Sequence, residues 1–247
     1  MTIDQAKIKK TDPYRQRRLK LSWIALVVLV MGFVIIGPVG LQKLFEQGQL
    51  YLDANLNQDD RYQSDVDNLQ LLEALTVKGR APKTGYDRDL FGQGWQILNG
   101  CTMRNIILKR DLTTITIDEN CKVKHGFLND PYSGREIEFF YGATSSSAVQ
   151  IDHIVAVSDA WQKGAQSWSP QKRIDFYNDP LNLLAVDGEA NQAKGNQDAA
   201  SWLPANKSFR CHYIGRQVQI KAKYELWLTE AEKVSMARQL TLCSLKL

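Results

Sequence analysis

The sequence is poor in the side chains that build most metal and nucleophile sites. Three histidines, His125, His153 and His212, occur among 247 residues, and none of the four cysteines stands in a C-x-x-C pair. A Cys/His zinc site needs such clustered ligands and is therefore disfavoured. There is no G-x-S-x-G stretch, and no serine is tied by a motif to a histidine, so a serine hydrolase has no starting point. Internal repeats and low-complexity tracts are absent as well, which removes solenoids and propellers. Basic excess is lacking outside one segment. The formal charge is +4, yet residues 1–40 carry Lys7, Lys9, Lys10, Arg15, Arg17, Arg18 and Lys20 against only Asp4 and Asp12. The rest of the chain holds 24 basic and 25 acidic groups, so net charge says nothing about nucleic-acid binding by the folded part.

What is present begins with a tether. Residues 1–20 form a basic tail, and residues 21–40 run for twenty positions without a charge. At ~1.5 Å per residue that is about 30 Å of helix, the thickness of a bilayer core. The pattern predicts one transmembrane helix. Seven basic residues before it against Lys43 just after it place the N-terminus in the cytoplasm and the body in the periplasm or outside the cell. A cleaved signal peptide is the alternative, but the run exceeds the ~7–15 apolar residues of such a segment and no A-x-A site follows. Residues 41–80 read as a polar stalk, with a short helix suggested by Leu69, Leu71, Leu72 and Leu75.

Residues 81–247 carry the glycines, aromatics and cysteines of one folded α+β domain. Strands are expected over Thr113–Ile117 and over residues 137–141 and 149–157, with turns at Asp130-Pro131 and Ser133-Gly134 between them. Ser169 before Pro170 reads as a helix start, and NLLAV from Asn182 as a short apolar strand. Asp187 reads as the cap of a helix over GEANQAKG, and Thr229 with Glu232 has capping-box spacing. An exported domain meets an oxidising compartment, so Cys101, Cys121, Cys211 and Cys243 are expected as disulfides. Of three pairings, sequence neighbours favour Cys101–Cys121 with Cys211–Cys243; four reduced core thiols are the alternative.

Chemistry centres on Asp152-His153. Alternation along a strand puts the two side chains on opposite faces, free to serve different partners. Asn182, Asn191 and Lys194 follow. The order D-H-I-V, N-L-L-A-V, N-x-x-K-G resembles the HNH, or ββα-metal, nuclease motif in a form that ends in Asn. The likeness spans residues 86–243, through RDLFG, CTMRNIILKRDLT, DPYSGREIEF, IDHIVAVSDAW, NDPLNLLAV, NQAKG and SWLPANKSFRCHY. In that extent the chain resembles secreted or membrane-anchored bacterial nucleases related to the C-terminal domain of GmrSD-type restriction enzymes.

The resemblance implies an α+β fold with a ββα-metal core flanked by further strands and helices. It implies His153 as general base, Asp152 and Asn191 as oxygen ligands of a divalent metal, Mg²⁺ or Mn²⁺, and Asn182 as a support for the His153 segment. Asn182 as a plain turn amide is the alternative. The implied activity is an endonuclease of low sequence specificity acting on DNA, with RNA as a second substrate, outside the cytoplasmic membrane. Arg104, Arg110 and Lys194 are candidates to hold substrate phosphates, and Arg88 precedes them as a further guanidinium; surface ion pairs, above all Arg110 with Asp111 and Arg88 between Asp87 and Asp89, and an exposed helix lysine are the plainer readings. Phe209, Tyr213 and Tyr224 among Lys207, Arg210 and Lys223 suggest a base-stacking surface, against a solvated charged face. Trp161, Trp168 and Trp202 read as core anchors. Two other classes stay open: a tethered nucleic-acid-binding or DNA-uptake module without catalysis, and an envelope structural protein in which Asp152, His153 and Asn191 do not converge.

Overall fold

The computed structural model describes residues 66–142 and 147–245. The tail, the apolar run at 21–40 and stalk residues 41–65 lie outside them. Among the described residues no helix is long and apolar enough to cross a membrane.

Residues 66–80, expected as the end of the stalk, pack into the domain. Helix α1 (residues 66–74) buries Leu72 in the main core, and Val77 forms a parallel bridge with Leu228. A short hairpin, β1 (Ile97–Leu98) and β2 (Cys101–Thr102), leads into α2 (Met103–Asp111), whose start is capped by the Thr102 hydroxyl. Strands β3 (Thr113–Ile117), β4 (Val123–Asn129) and β5 (Glu136–Phe140) form an antiparallel meander. Gly126 in β4 is where β3 comes close: a Cβ there would sit 3.0 Å from Ile115 and 3.1 Å from Leu112.

The second sheet has two strands, β6 (Val149–His153) and β7 (Leu183–Asp187), antiparallel with Asp152 opposite Leu184 and His153 opposite Leu183. Helix α5 (Gly188–Lys194) follows β7 directly, giving a strand, strand, helix unit. Asp187 caps it by accepting from the Ala190 N–H, and Gly188 is obligatory because a Cβ there would collide with the Ser147 carbonyl. The strand expected over 149–157 stops at His153. Asn182 takes up the next two backbone donors, Ile154 N–H on its carbonyl and Val155 N–H on Oδ1, so the chain leaves the sheet and α3 (Val157–Gln162) begins.

Helices α4 (Pro170–Tyr177), α6 (Arg210–Tyr224) and α7 (Glu230–Ser244) complete the domain. Ser169 caps α4 with Pro170 at its first turn, and Thr229 with Glu232 forms a complete capping box on α7. Two cores result. One gathers the helices around Leu72, Trp161, Trp168, Tyr213 and Met236; the other joins α2 to β4–β7 through Ile107, Leu128, Phe139 and Leu183. Disulfides Cys101–Cys121 and Cys211–Cys243 tie β2 to the turn before β4 and α6 to α7, leaving no free cysteine. Each stabilises by about 3–4 kcal/mol in the chain-entropy account.

Candidate active site

Asp152 and His153 end β6 side by side, and alternation sends them to different partners. The Asp152 carboxylate, 5% exposed, accepts from the Tyr132 hydroxyl at 2.5 Å on Oδ2 and from the Lys194 ammonium at 2.9 Å on Oδ1. Lys194, itself fully buried, donates a second bond to the His153 carbonyl at 2.8 Å. Burial raises the Asp152 carboxyl above the usual range, and the Lys194 charge and the Tyr132 hydroxyl pull against it. The Tyr132 phenol is pushed far up, by burial first and then by the Asp152 charge.

His153 is 4% exposed and lies flat against Trp95, ring centroids 5.7 Å apart and planes at 10°. Its Nε2 is 2.9 Å from the Tyr177 carbonyl. A carbonyl only accepts, so Nε2 carries the proton and Nδ1 keeps the lone pair. Burial holds the imidazole neutral, with its pKa pushed down to about 3; the Tyr177 carbonyl opposes this, and the charges of Arg88 and Lys194 add to it.

The turn between β4 and β5 braces this pair. Asp130 Oδ1 accepts from the Asp187 N–H at 2.9 Å, and its Oδ2 accepts from Ser133. Arg135 pairs with the Asp187 carboxylate at 2.9 Å. The DPYSGR segment thus grips the β7–α5 junction while delivering Tyr132 to Asp152. Asn182, fully buried, braces the other side: its Oδ1 accepts from Val155 at 2.9 Å, and its Nδ2 donates to the Val155 carbonyl.

Asp152, His153 and Asn191 border one cavity of about 360 Å³. The Asn191 amide nitrogen donates to Gln150 Oε1 at 2.8 Å, which leaves its carbonyl oxygen as the donor atom for a ligand. Among the described residues no three His, Cys, Asp or Glu side chains are grouped to hold a metal. The cavity offers oxygen donors, Asp152 and Asn191, and every cysteine is in a disulfide, so the donor set suits a hard divalent cation. Such an ion meets a competitor, since Lys194 already holds Asp152 Oδ1.

None of the three cationic candidates borders the cavity. Arg104 donates to the Val149 carbonyl, and Arg110 to the carbonyls of Pro180 and Leu183 and to Asp111. Both satisfy backbone acceptors inside the fold. Lys194 is buried beneath the pair and does not border the cavity. Tyr213 and Tyr224 are core residues, so the suggested stacking surface on α6 does not exist. Tyr132 and Trp95 were missed by the sequence reading. Tyr132 sits inside a segment already singled out, but a hydroxyl aimed at a carboxylate leaves no local pattern.

A strand, strand, helix unit with a neutral imidazole and a carboxylate among the residues that border one cavity has the group types that acid–base chemistry uses. The chain belongs to the family described as GmrSD restriction endonucleases, C-terminal domain, whose model matches residues 102–239. That membership supports a nuclease function with nucleic acid as partner. A relative from Arthroderma benhamiae, called an uncharacterized secreted protein, is 38% identical over 175 residues, which cover 70% of this chain and 83% of that protein. No solved structure matches.

Proposed function

We propose that this chain is a metal-dependent endonuclease of the HNH type, acting on DNA outside the cytoplasmic membrane, with RNA as the second substrate to test. The observation that carries the reading is the tautomer of His153. Its Nε2 is committed to the Tyr177 carbonyl, its pKa is held at about 3, and it shares a cavity with the oxygens of Asp152 and Asn191. Nδ1 therefore carries the lone pair that this reading assigns to an attacking water; at so low a pKa it is a weak base, and the negative charge of a bound phosphodiester would strengthen it. The flat contact with Trp95 and the Tyr177 bond fix the ring, so little orientation is lost when substrate enters. Asn182 keeps the loop after His153 in register.

Mg²⁺ or Mn²⁺, held by Asp152 and Asn191, would offset charge on the phosphorane and the leaving oxygen. Tyr132 and Lys194 keep the Asp152 carboxylate aligned until then. Low sequence specificity follows from a site that addresses the phosphodiester and has no separate base-reading element among the described residues. Two disulfides and a secreted relative support an extracytoplasmic location, and the charge-free run at 21–40 supports an anchor there.

The test is cleavage of plasmid DNA, single-stranded DNA and RNA by the full-length chain with Mg²⁺ or Mn²⁺, with and without chelator. Metal-dependent nicking that drops by about 10²–10⁴-fold in His153→Ala is expected. Binding without cleavage under every metal would leave the non-catalytic module as the correct reading.

A further inference from the structure

The family match begins at residue 102, yet the cavity wall does not. Lys83, Tyr86 and Arg88, from the segment before the matched region, line it together with Asp152, His153 and Asn191. Trp95, from the same segment, covers the His153 ring. This lip is fixed to the domain. The Ala81 N–H bonds the Gln162 carbonyl at 2.9 Å, Gln166 donates to the Pro82 carbonyl, and Phe91 is fully buried between Trp161 and Phe176.

Lys83 and Arg88 are the two cationic side chains bordering the cavity, and Asp152, the single carboxylate there, is already matched by Lys194. Arg88 lies between Asp87 and Asp89 in sequence, but Asp87 caps the turn Arg88–Phe91 and forms no salt bridge with Arg88 among the described residues. Instead the guanidinium lies over the Tyr177 ring at 5.3 Å, next to the aromatic group that holds His153, and the Lys83 ammonium lies over Tyr86 at 4.9 Å. Arg88 Nη2 also donates to the Tyr177 hydroxyl at 3.4 Å, and neither cation is paired with a carboxylate among the described residues, so these contacts position both charges for phosphate oxygens.

We infer that Lys83 and Arg88 form the phosphate-holding lip of the site, gripping the backbone of a nucleic acid on either side of the bond presented to His153. The inference rests on the nuclease reading and replaces the assignment of that task to Arg104, Arg110 and Lys194. Arg88, with its planar fork, takes a phosphate through two bonds; Lys83 adds a second point of charge. Neither is a catalytic residue; both position the substrate.

The test reads binding without turnover. Anisotropy of a labelled DNA duplex is titrated with the full-length chain in chelator, from 50 to 300 mM KCl, giving the slope of log K against log salt. Arg88→Gln and Lys83→Gln are each expected to reduce that slope by about 0.9, the loss of one phosphate contact. Arg88→Lys is expected to keep the slope, and Arg110→Gln, whose side chain bonds backbone carbonyls, to leave it unchanged. An unchanged slope in both Gln variants, or a drop in Arg110→Gln alone, overturns the lip. Absence of any salt-dependent binding by the unaltered chain overturns it too. Failure of the nuclease reading shows separately, as binding with no metal-dependent cleavage.

Discussion

Two buried ionic clusters in this domain use the same side chains to different ends. In the helical half, Lys163 meets Asp159, Asp198 and Glu232 at 2.7, 2.8 and 2.6 Å; Lys221 adds a contact to Glu232 at 2.9 Å, and Arg80 reaches Asp159 at 3.1 Å. Three cations balance three carboxylates. The cluster joins α3, α6, α7, the loop after α5 and the segment before residue 81. Burial lowers the Lys221 pKa, but the Glu232 and Asp159 charges outweigh it and the ammonium ends raised. At the cavity, a single Lys194–Asp152 pair stands beside a neutral imidazole. The sealed cluster has nothing left to offer a ligand. The other has a lone pair on His153, an amide oxygen on Asn191 and a carboxylate held by one ammonium and one phenol.

That contrast can be broken from either side. The acid sensitivity of the His153 site carries the largest expected effect. Its folded pKa of about 3 lies below the unfolded 6.5, so between those values the unfolded chain binds a proton that the folded chain refuses. Stability is fully present above pH 6.5 and is lost as pH falls toward 3, by roughly 4–5 kcal/mol in all. The raised Asp152 carboxyl works in the opposite direction over the acid range. Urea unfolding from pH 7 to 4 is expected to steepen less for His153→Gln than for the unaltered chain; parallel curves would mean the imidazole is not held neutral.

Next comes Lys163→Met, which leaves three buried carboxylates facing Lys221 and Arg80. A loss of about 3–5 kcal/mol is expected, with no recovery on adding Mn²⁺. Lys194→Met is smaller, ~2–3 kcal/mol in chelator, because Asp152 can relieve itself by taking up a proton. Here Mn²⁺ is expected to restore much of the thermal midpoint by occupying the vacated carboxylate. Equal responses of the two lysine variants to Mn²⁺ would erase the distinction between the clusters.

Local features of both halves were legible in the sequence. Ser169-Pro170, Asp187 and the Thr229/Glu232 box cap helices through bonds made within four residues, and the neighbour pairing of the cysteines is the one formed. Asp152, His153 and Asn191, which border one cavity, were singled out because their order along the chain carries the pattern. The supports were not. Tyr132, Trp95 and Tyr177 reach the site from separate elements, and only the packed cores bring them there. Arg104 and Arg110 misled for a related reason. A basic side chain looks the same in sequence whether it waits for phosphate or satisfies the carbonyls of Val149 and Leu183. The strand through residue 157 was overextended because Asn182, twenty-nine positions after His153, captures the ladder donors.

The most direct measurement is Mn²⁺ binding to the full-length chain, followed by electron paramagnetic resonance, for the unaltered protein and for Asp152→Asn, Asn191→Ala and Lys163→Met. The account predicts one site per chain that weakens strongly in the first two variants and persists in the third. Binding that ignores Asp152 and Asn191, or no binding at all, would contradict it.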